Sequence, residues 1–351
     1  MTFLKSIDSK FFHNEIPYKP MGKYVHFLTV RVTESYPLFQ TDGELNKARV
    51  SAGIIVENKT PISRLAMFKR KQSTPERLVG RELLRNYGFM TAEECEYNVK
   101  FAMNNPDCII YGFAIGDSGS EKSKVVVDTA FSITPFDESH ENFTLNAPYE
   151  NGTMASKGEK KADGKLDTTI GDTTSRINSQ DHIRPQVFFP SIVTLKDPTE
   201  ASFLYVFNNI LRNRHYGAQT TRTGRLRNEL IGVVFADGEI TSNLRWTQAI
   251  YDLIPADLIQ SIDPLSEDVV LAKAKEAIAS LLDEEFVVHY DFIGEAFQPL
   301  LNEVKALTSS ETGIQTVLKA ADDEAKAYAF KHIKGKGEKP EADKKTKAGK
   351  K

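Results

Sequence analysis

What most limits the fold of this chain is the order in which two kinds of hydrophobic periodicity alternate along it. Gly22 to Thr33 (GKYVHFLTVRVT) alternates with a period of two and is rich in β-branched and aromatic side chains, as a strand is. Thr74-Pro75-Glu76 then opens a helix running to about Tyr87, with Thr74 as cap and Pro75 in the first turn. Thr91 to Glu94 has capping-box spacing for another. CIIYGFAIG and KVVVDTAFSIT, within Cys108 to Thr134, read as a β-hairpin around the turn-rich DSGSEKS. VFFPSIVTL is a further strand, Thr199 to Arg212 carries Phe203, Phe207, Ile210 and Leu211 at helical spacing, and Leu226 to Ala236 is the last strand. Without its insertions the chain is β-α-β-β-α-β, an α+β ferredoxin-like arrangement.

Two insertions interrupt that order. In residues 58–105, within the stretch MFKRKQSTPERLVGRELLR, Lys69, Arg70, Lys71, Arg77, Arg81 and Arg85 outnumber Glu76 and Glu82. Arg77, Arg81 and Arg85 recur every four residues, so they share a helical face that either meets water or tracks phosphates. Residues 135–184 are poor in apolar side chains and rich in Gly, Asn, Lys, Asp and Thr; a loop of that length in a compact domain is functional or disordered. Beyond Gln248, DPLSEDVVLAKAKEAIASLLDEEF, FQPLLNEVKAL and TGIQTVLKAADDEAKAYAFKHI each have helical spacing and are expected to pack as a bundle on the sheet. Residues 334–351 read as a disordered lysine-rich tail, either solubilising or weakly nucleic-acid binding.

The 351 residues, 40% hydrophobic and 26% charged, are enough to bury a sizeable core. No segment reaches the roughly 20 apolar residues of a membrane span, and MTFLKSIDSKFF lacks a secretory apolar stretch, so a cytoplasmic protein is expected. Cys95 and Cys108, the two cysteines, make neither a disulfide scaffold nor a CxxC metal pair. Charge is unevenly spread. Residues 231–330 carry 18 acids and 6 bases, the chain from Lys331 carries 9 lysines and 3 acids, and the total of −3 therefore leaves +3 for residues 1–230. Within that first part, Arg212, Arg214, Arg222, Arg225 and Arg227 occur with no acid until Glu229. Arginine forks suit phosphate oxygens, and Gly217 and Gly224 let backbone approach a ligand. A solvated basic turn is the plainer alternative. His215 and Tyr216 add a hydrogen-bonding or stacking pair to the same loop.

Three stretches, RLVGRELLRNYGFMTAEECEYNVKF from Arg77, VFFPSIVTLKDPTEASFLYVF from Val187 and TRTGRLRNELIGVVFADGEITSNLRWTQAIYDL from Thr221, resemble the backbone subunit of type I-D CRISPR effector complexes, within the repeat-associated RNA-binding superfamily. The resemblance spans most of residues 20–255. It implies an RRM-like palm core from residues 1–57, 106–134 and 185–255, a basic helical insertion at 58–105, a thumb-like insertion at 135–184, a helical region at 256–333 packed on the core and the tail at 334–351. It further implies an RNA-binding subunit of prokaryotic antiviral defence that polymerises head to tail along a CRISPR guide RNA and presents it to a target DNA strand. Copies of itself, a large subunit and guide-end subunits would be its partners. The thumb would wedge between guide bases, with Met154 and Ile177 as its few apolar residues. Guide-RNA contacts fall on Lys69, Arg70, Lys71, Arg77, Arg81, Arg212, Arg214, His215, Tyr216, Arg222, Arg225 and Arg227.

Catalytic signatures are scarce. There is no GxxxxGK[ST] loop, no HExxH pair and no GxSxG elbow, and the histidines at 13, 26, 140, 182, 215, 289 and 332 are scattered. No catalytic residue, metal or cofactor is therefore assigned. YGFA at Tyr111 to Ala114 echoes part of an aromatic RNA-recognition signature, but a core strand accounts for it better. The rival reading is a nuclease, either a metal-independent ribonuclease using His215 or a backbone that cuts its bound target strand, for which Asp42 is an acid without a supporting motif. A purely protein-binding domain would suit the acidic helices and leave the arginine loop without a role.

Overall fold

Strand β1 (Tyr24–Thr33) is buried on both faces along nearly its whole length, so the sheet around it needs two covering layers. Val25 and Phe27 belong to one core with Phe203 and Phe207, whereas Leu28, Val30 and Val32 belong to another with Trp246 and Ile250. The computed structural model describes residues 3–41, 43–115, 119–144, 179–217, 223–255, 258–259 and 264–333.

In chain order β1 is followed by the hairpin β2 (Gln40–Thr41) and β3 (Glu44–Leu45), the antiparallel pair β4 (Lys47–Ser51) and β5 (Pro61–Met67), and helix α1 (Lys69–Asn86). Helix α2 (Pro106–Tyr111), strands β6 (Phe113–Ala114), β7 (Ser120–Glu121), β8 (Val125–Val127) and β9 (Ala130–Phe131), and the single turn α3 (Phe136–Ser139) come next. The ribbon β10 (His140–Thr144) and β11 (Ser179–Ile183) precedes β12 (Phe188–Lys196), α4 (Glu200–Arg212), β13 (His215–Gly217) and β14 (Thr223–Ala236). Helices α5 (Asn243–Leu253) and α6 (Glu267–Leu282), strand β15 (His289–Ile293), and helices α7 (Gln298–Thr308) and α8 (Glu311–His332) complete the described elements.

The main sheet is antiparallel in the order β13-β14-β1-β12-β8, with β15 on β14. Strand β1 pairs with β12 from Tyr24↔Lys196 to Val32↔Phe188 and with β14 from Tyr24↔Ala236 to Thr33↔Leu226. Leu84 of α1, Phe203 and Phe207 of α4, Val304 of α7 and Leu318 of α8 share the core on one face. Helices α5 and α6 cover the other, where the Trp246 indole N–H donates to the Ala274 carbonyl at 3.0 Å. Helix α4 is buried from Ala201 to Ile210 because it lies between the sheet and three helices; its start is fixed by a capping box between Thr199 and Ser202. Among the described residues no helix is long and apolar enough to cross a membrane.

The strands expected at Gly22 to Thr33, VFFPSIVTL and Leu226 to Ala236 form there, as does the helix from Thr199 to Arg212. Four expectations are corrected. Helix α1 starts at Lys69, not after Thr74, and Pro75 lies inside it. An interior proline costs about 3 kcal/mol; here the helix is held from outside on both sides of Pro75, Gln72 before it and Glu76 after it both bonding to Arg31. Thr91 and Glu94 exchange capping-box bonds of 3.2 and 3.0 Å, yet close only a turn. The first arm of the expected Cys108–Thr134 hairpin is helix α2, because Asn105 caps it by accepting from the Cys108 amide at 2.9 Å and Pro106 suits the first turn. The second arm divides, β8 joining β12 while β9 leaves to pair with β5. Finally, the C-terminal helices form where expected but do not pack as one bundle. They divide between both faces of the sheet, with strand β15 intervening.

His26 on β1 is almost fully buried. Its Nε2–H donates to the Gly238 carbonyl at 3.0 Å, which leaves Nδ1 to accept from the Thr194 hydroxyl at 2.8 Å. Burial pushes its pKa down from 6.5 to about 4. A depressed histidine favours folding fully above its unfolded value and progressively less as pH falls toward the folded value. Chemical denaturation at pH 7 and about pH 4.5 should therefore show wild type losing on the order of 2–3 kcal/mol more than His26→Gln across that interval. Equal losses would contradict the assignment.

Candidate nucleic-acid interface

The first turns of α1 present cations outward while burying polar groups inward. Lys69 and Arg70 are exposed and Lys71 is half-buried. Burial, and then the like charge of Arg70, lowers the Lys71 pKa, as expected of cations gathered without a counter-charge between them. The inward side chains are Gln72 and Glu76, both fully buried. Arg31 of β1 donates from Nη1 to Gln72 Oε1 and from Nη2 to Glu76 Oε1, each at 2.6 Å, and Ser191 Oγ donates to the same Gln72 oxygen at 2.6 Å. Burial alone would lower the Arg31 pKa, but the Glu76 carboxylate outweighs it and raises it.

The facing wall is the end of α4 and strand β13. Alternation along β13 turns Tyr216 inward and leaves His215 exposed. The Tyr216 hydroxyl donates to Glu76 Oε1 at 3.0 Å and accepts from Asn228 Nδ2 at 2.7 Å, with its ring 5.4 Å from the Arg31 guanidinium. One carboxylate oxygen thus holds both walls. Arg212 at the end of α4 donates to Asn208 Oδ1 at 2.8 Å and the Thr308 carbonyl at 2.6 Å and still lines the space between. The result is a groove of about 940 Å³ lined by Lys69, Arg70, Lys71, Arg212, Arg214 and His215, with Glu82 as its acid.

Six of the residues expected from the sequence therefore meet in one place, and five described ones do not. Arg77 and Arg81 do not form a water-facing stripe. Arg77 grips Asp107 at 2.9 and 2.7 Å, Arg81 is fully buried with Nη1 2.6 Å from the same carboxylate, and Arg85 donates to the Cys95 carbonyl at 3.0 Å. These three tie α1 to α2, through Asp107, and to the chain between the two helices, through Cys95. Tyr216 is a core residue, unavailable for stacking. Arg225 and Arg227 have no acid before Glu229 in sequence, but acids surround them in space. Glu34 takes both, at 2.9 and 3.1 Å, and Arg227 also pairs with Glu229 and, at 2.6 Å, with Glu267. Gly224 packs its backbone on Pro37, only 2.4 Å from where a Cβ would sit, so the close approach it permits is to its own chain. YGFA falls at the end of α2 and on β6, off the main sheet. Arg222, Asp42, Met154 and Ile177 lie outside the described residues.

Sequence reading missed the apolar part of the groove. Phe68, an exposed aromatic just before α1, and Tyr97, whose hydroxyl lies 3.3 Å from Thr74 Oγ1, both line it. Phe68 adjoins the basic run and was open to notice; nothing near Tyr97 in sequence marks it.

A family model, that of the Csc2 CRISPR proteins, matches residues 11–318. The chain belongs to the Csc2 CRISPR family. Among solved structures it is similar to the crystal structure of Thermofilum pendens Csc2, with a TM-score of 0.57 and 12% identity over 93% of this chain and 96% of that one. A chain of a CRISPR RNA-guided surveillance complex is also similar, with a TM-score of 0.44 and 10% identity over 78% of this chain and 89% of that one. No curated protein matches. At 12% identity the crystallographic relative attests a shared mixed α+β fold.

The two walls should fail together when their common tether is cut. Glu76→Ala leaves the Arg31 charge buried and unpaired, a loss of about 3–5 kcal/mol, whereas Tyr216→Phe removes one hydroxyl and should cost about 1–3 kcal/mol. Urea denaturation measures both; a Glu76→Ala protein as stable as wild type would show that the tether carries no such role.

Proposed function

We propose that this Csc2 family member is a guide-RNA-binding backbone subunit of a type I-D CRISPR effector complex, and that the groove between α1 and β13 holds the RNA backbone. The observation that carries this reading is the meeting of Lys69, Arg70, Lys71, Arg212, Arg214 and His215, from two distant parts of the chain, around one groove in which Glu82 is the single acid among the described lining residues. Cations so placed attract a phosphate chain without reading its bases. The antiparallel order β14-β1-β12-β8, with α1 and α4 as crossovers, supports an RRM-like, ferredoxin-like palm. Helices α5 and α6 cover the other sheet face, which moves the RNA from the open sheet of an RNA-recognition domain to this lateral groove. The ribbon β10–β11 carries the thumb-like insertion, of which residues 145–178 lie outside the described residues. Heterologous contacts between copies generate an open filament, in which a target DNA strand is read by pairing with the guide. Large and guide-end subunits complete the assembly in a prokaryotic cytoplasm.

Each phosphate contact to a single strand contributes about −0.7 to the slope of log K against log salt. Replacing Lys69, Arg70 and Arg214 together by Gln should therefore weaken binding of an unstructured RNA at least tenfold and flatten the slope by about 2. Arg227→Gln should leave the slope unchanged. A folded triple variant with wild-type affinity and slope would overturn the proposal. The rival ribonuclease reading is favoured by one observation, the exposure of His215 in the groove. The same RNA, incubated with wild type in EDTA, decides it: the backbone reading expects intact RNA, and cleavage lost in His215→Ala would replace it.

A further inference from the structure

The two cysteines, 13 positions apart, meet in the fold with their sulfurs 3.9 Å apart, both free and buried. Each is mounted on a separately fixed segment. Cys108 sits in the first turn of α2, its amide donating to Asn105 Oδ1 at 2.9 Å. Cys95 follows the Thr91–Glu94 turn, and its carbonyl accepts from Arg81 Nη2 at 2.9 Å and Arg85 Nη2 at 3.0 Å. Arg81 Nη2 also lies 3.1 Å from the Cys95 sulfur. A guanidinium at that distance favours thiolate over thiol, and the thiolate is the nucleophile in disulfide exchange. Among the described residues no guanidinium lies within hydrogen-bond distance of the Cys108 sulfur, and with Cys95 as thiolate the Cys108 thiol is placed to donate toward it at 3.9 Å. The pair is therefore asymmetric: the Cys108 hydrogen bond, with the Ala102 backbone and Arg81, lowers the Cys95 pKa, and that same contact together with burial raises the Cys108 pKa.

We propose that Cys95 and Cys108 form a redox-active dithiol, with Cys95 as the attacking and Cys108 as the resolving sulfur, which a small-molecule disulfide converts to an intramolecular disulfide. The Cys95 thiolate attacks one sulfur of the oxidant, forming a mixed disulfide and releasing one thiolate. Cys108 then attacks the Cys95 sulfur, its proton passing to the departing second thiolate. Both cysteines are oxidised, and the oxidant is reduced to two thiols. The sulfurs need to close from 3.9 Å to about 2.0 Å. The bond would tie the turn that leads into Tyr97, a wall residue of the groove, to α2. An effect on RNA binding rests on the groove function proposed above, whereas the disulfide is read directly, so the two ideas can fail separately.

The full-length chain is incubated with glutathione disulfide at neutral pH, quenched by alkylation and mapped by mass spectrometry. The expected product is a Cys95–Cys108 disulfide without retained glutathione. C108S should retain glutathione on Cys95, and C95S should react at roughly one tenth of the wild-type rate or below. Circular dichroism confirms that the variants are folded. If either is not, peptide mapping of wild type at early times replaces it, with glutathione expected on Cys95 first. Unmodified thiols in folded wild type, a stable mixed disulfide, or glutathione appearing first on Cys108 would each overturn the proposal.

Discussion

The groove depends on one buried carboxylate. Glu76 Oε1 receives Arg31 from the central strand and Tyr216 from β13, at 2.6 and 3.0 Å. Helix α1 therefore stands at a fixed distance from both the sheet and the far wall. Buried ion pairs are not efficient sources of stability, since desolvating two charges costs about as much as their attraction returns. What the pair supplies is position. A greasy face on α1 could slide along the sheet; Gln72 and Glu76 meeting one guanidinium cannot, and the register they impose sets Lys69, Arg70 and Lys71 toward Arg214 and His215.

A second buried arrangement does the same for the other half of the helix. Asp107 takes Arg77 and Arg81, and Gly80 between them allows α1 to lie so close to α4 that a Cβ there would be 2.4 Å from the Tyr205 hydroxyl and the Asn209 amide. Helix α1 is thus held by polar contacts on its inner side at both ends, while Lys69, Arg70 and Lys71 on its outer side pair with no carboxylate among the described residues. The arginines of β14 show the opposite balance, because Glu34, Glu229 and Glu267 neutralise Arg225 and Arg227 locally. Of two basic clusters equally prominent in sequence, only the one on α1 and β13 keeps a surplus of positive charge.

That contrast marks what was legible in the sequence. The central strands and α4 announce themselves because their side chains obey one period and meet one kind of environment. The arginine cluster was legible as residue type but not as partnership: Glu34 and Glu267 lie 191 residues or more and 40 residues from the arginines they neutralise, and no local pattern reports them. Tyr216 beside His215 looked like a stacking pair, but strand alternation puts neighbours on opposite faces, and β13 was too short to be recognised as a strand. Arg77, Arg81 and Arg85 obey helical spacing, which gives their shared face but not its direction; the chain that covers it, around Cys95 and Asp107, carries the sequence pattern of a helix start and a hairpin. Cys108 to Tyr111 fits strand or helix by hydrophobicity alone, and the Asn105-Pro106 cap decides for helix.

The central claim is that RNA lies between α1 and β13. Ultraviolet cross-linking of the full-length protein to a single-stranded RNA, with the attachment sites mapped by mass spectrometry, tests it most directly. Cross-links concentrated on peptides carrying Phe68 to Lys71, Tyr97 and Arg214 to His215 are the predicted result. Cross-links confined to Arg225 and Arg227 on β14, or to the α5–α6 face, with the groove peptides unmodified, would contradict it.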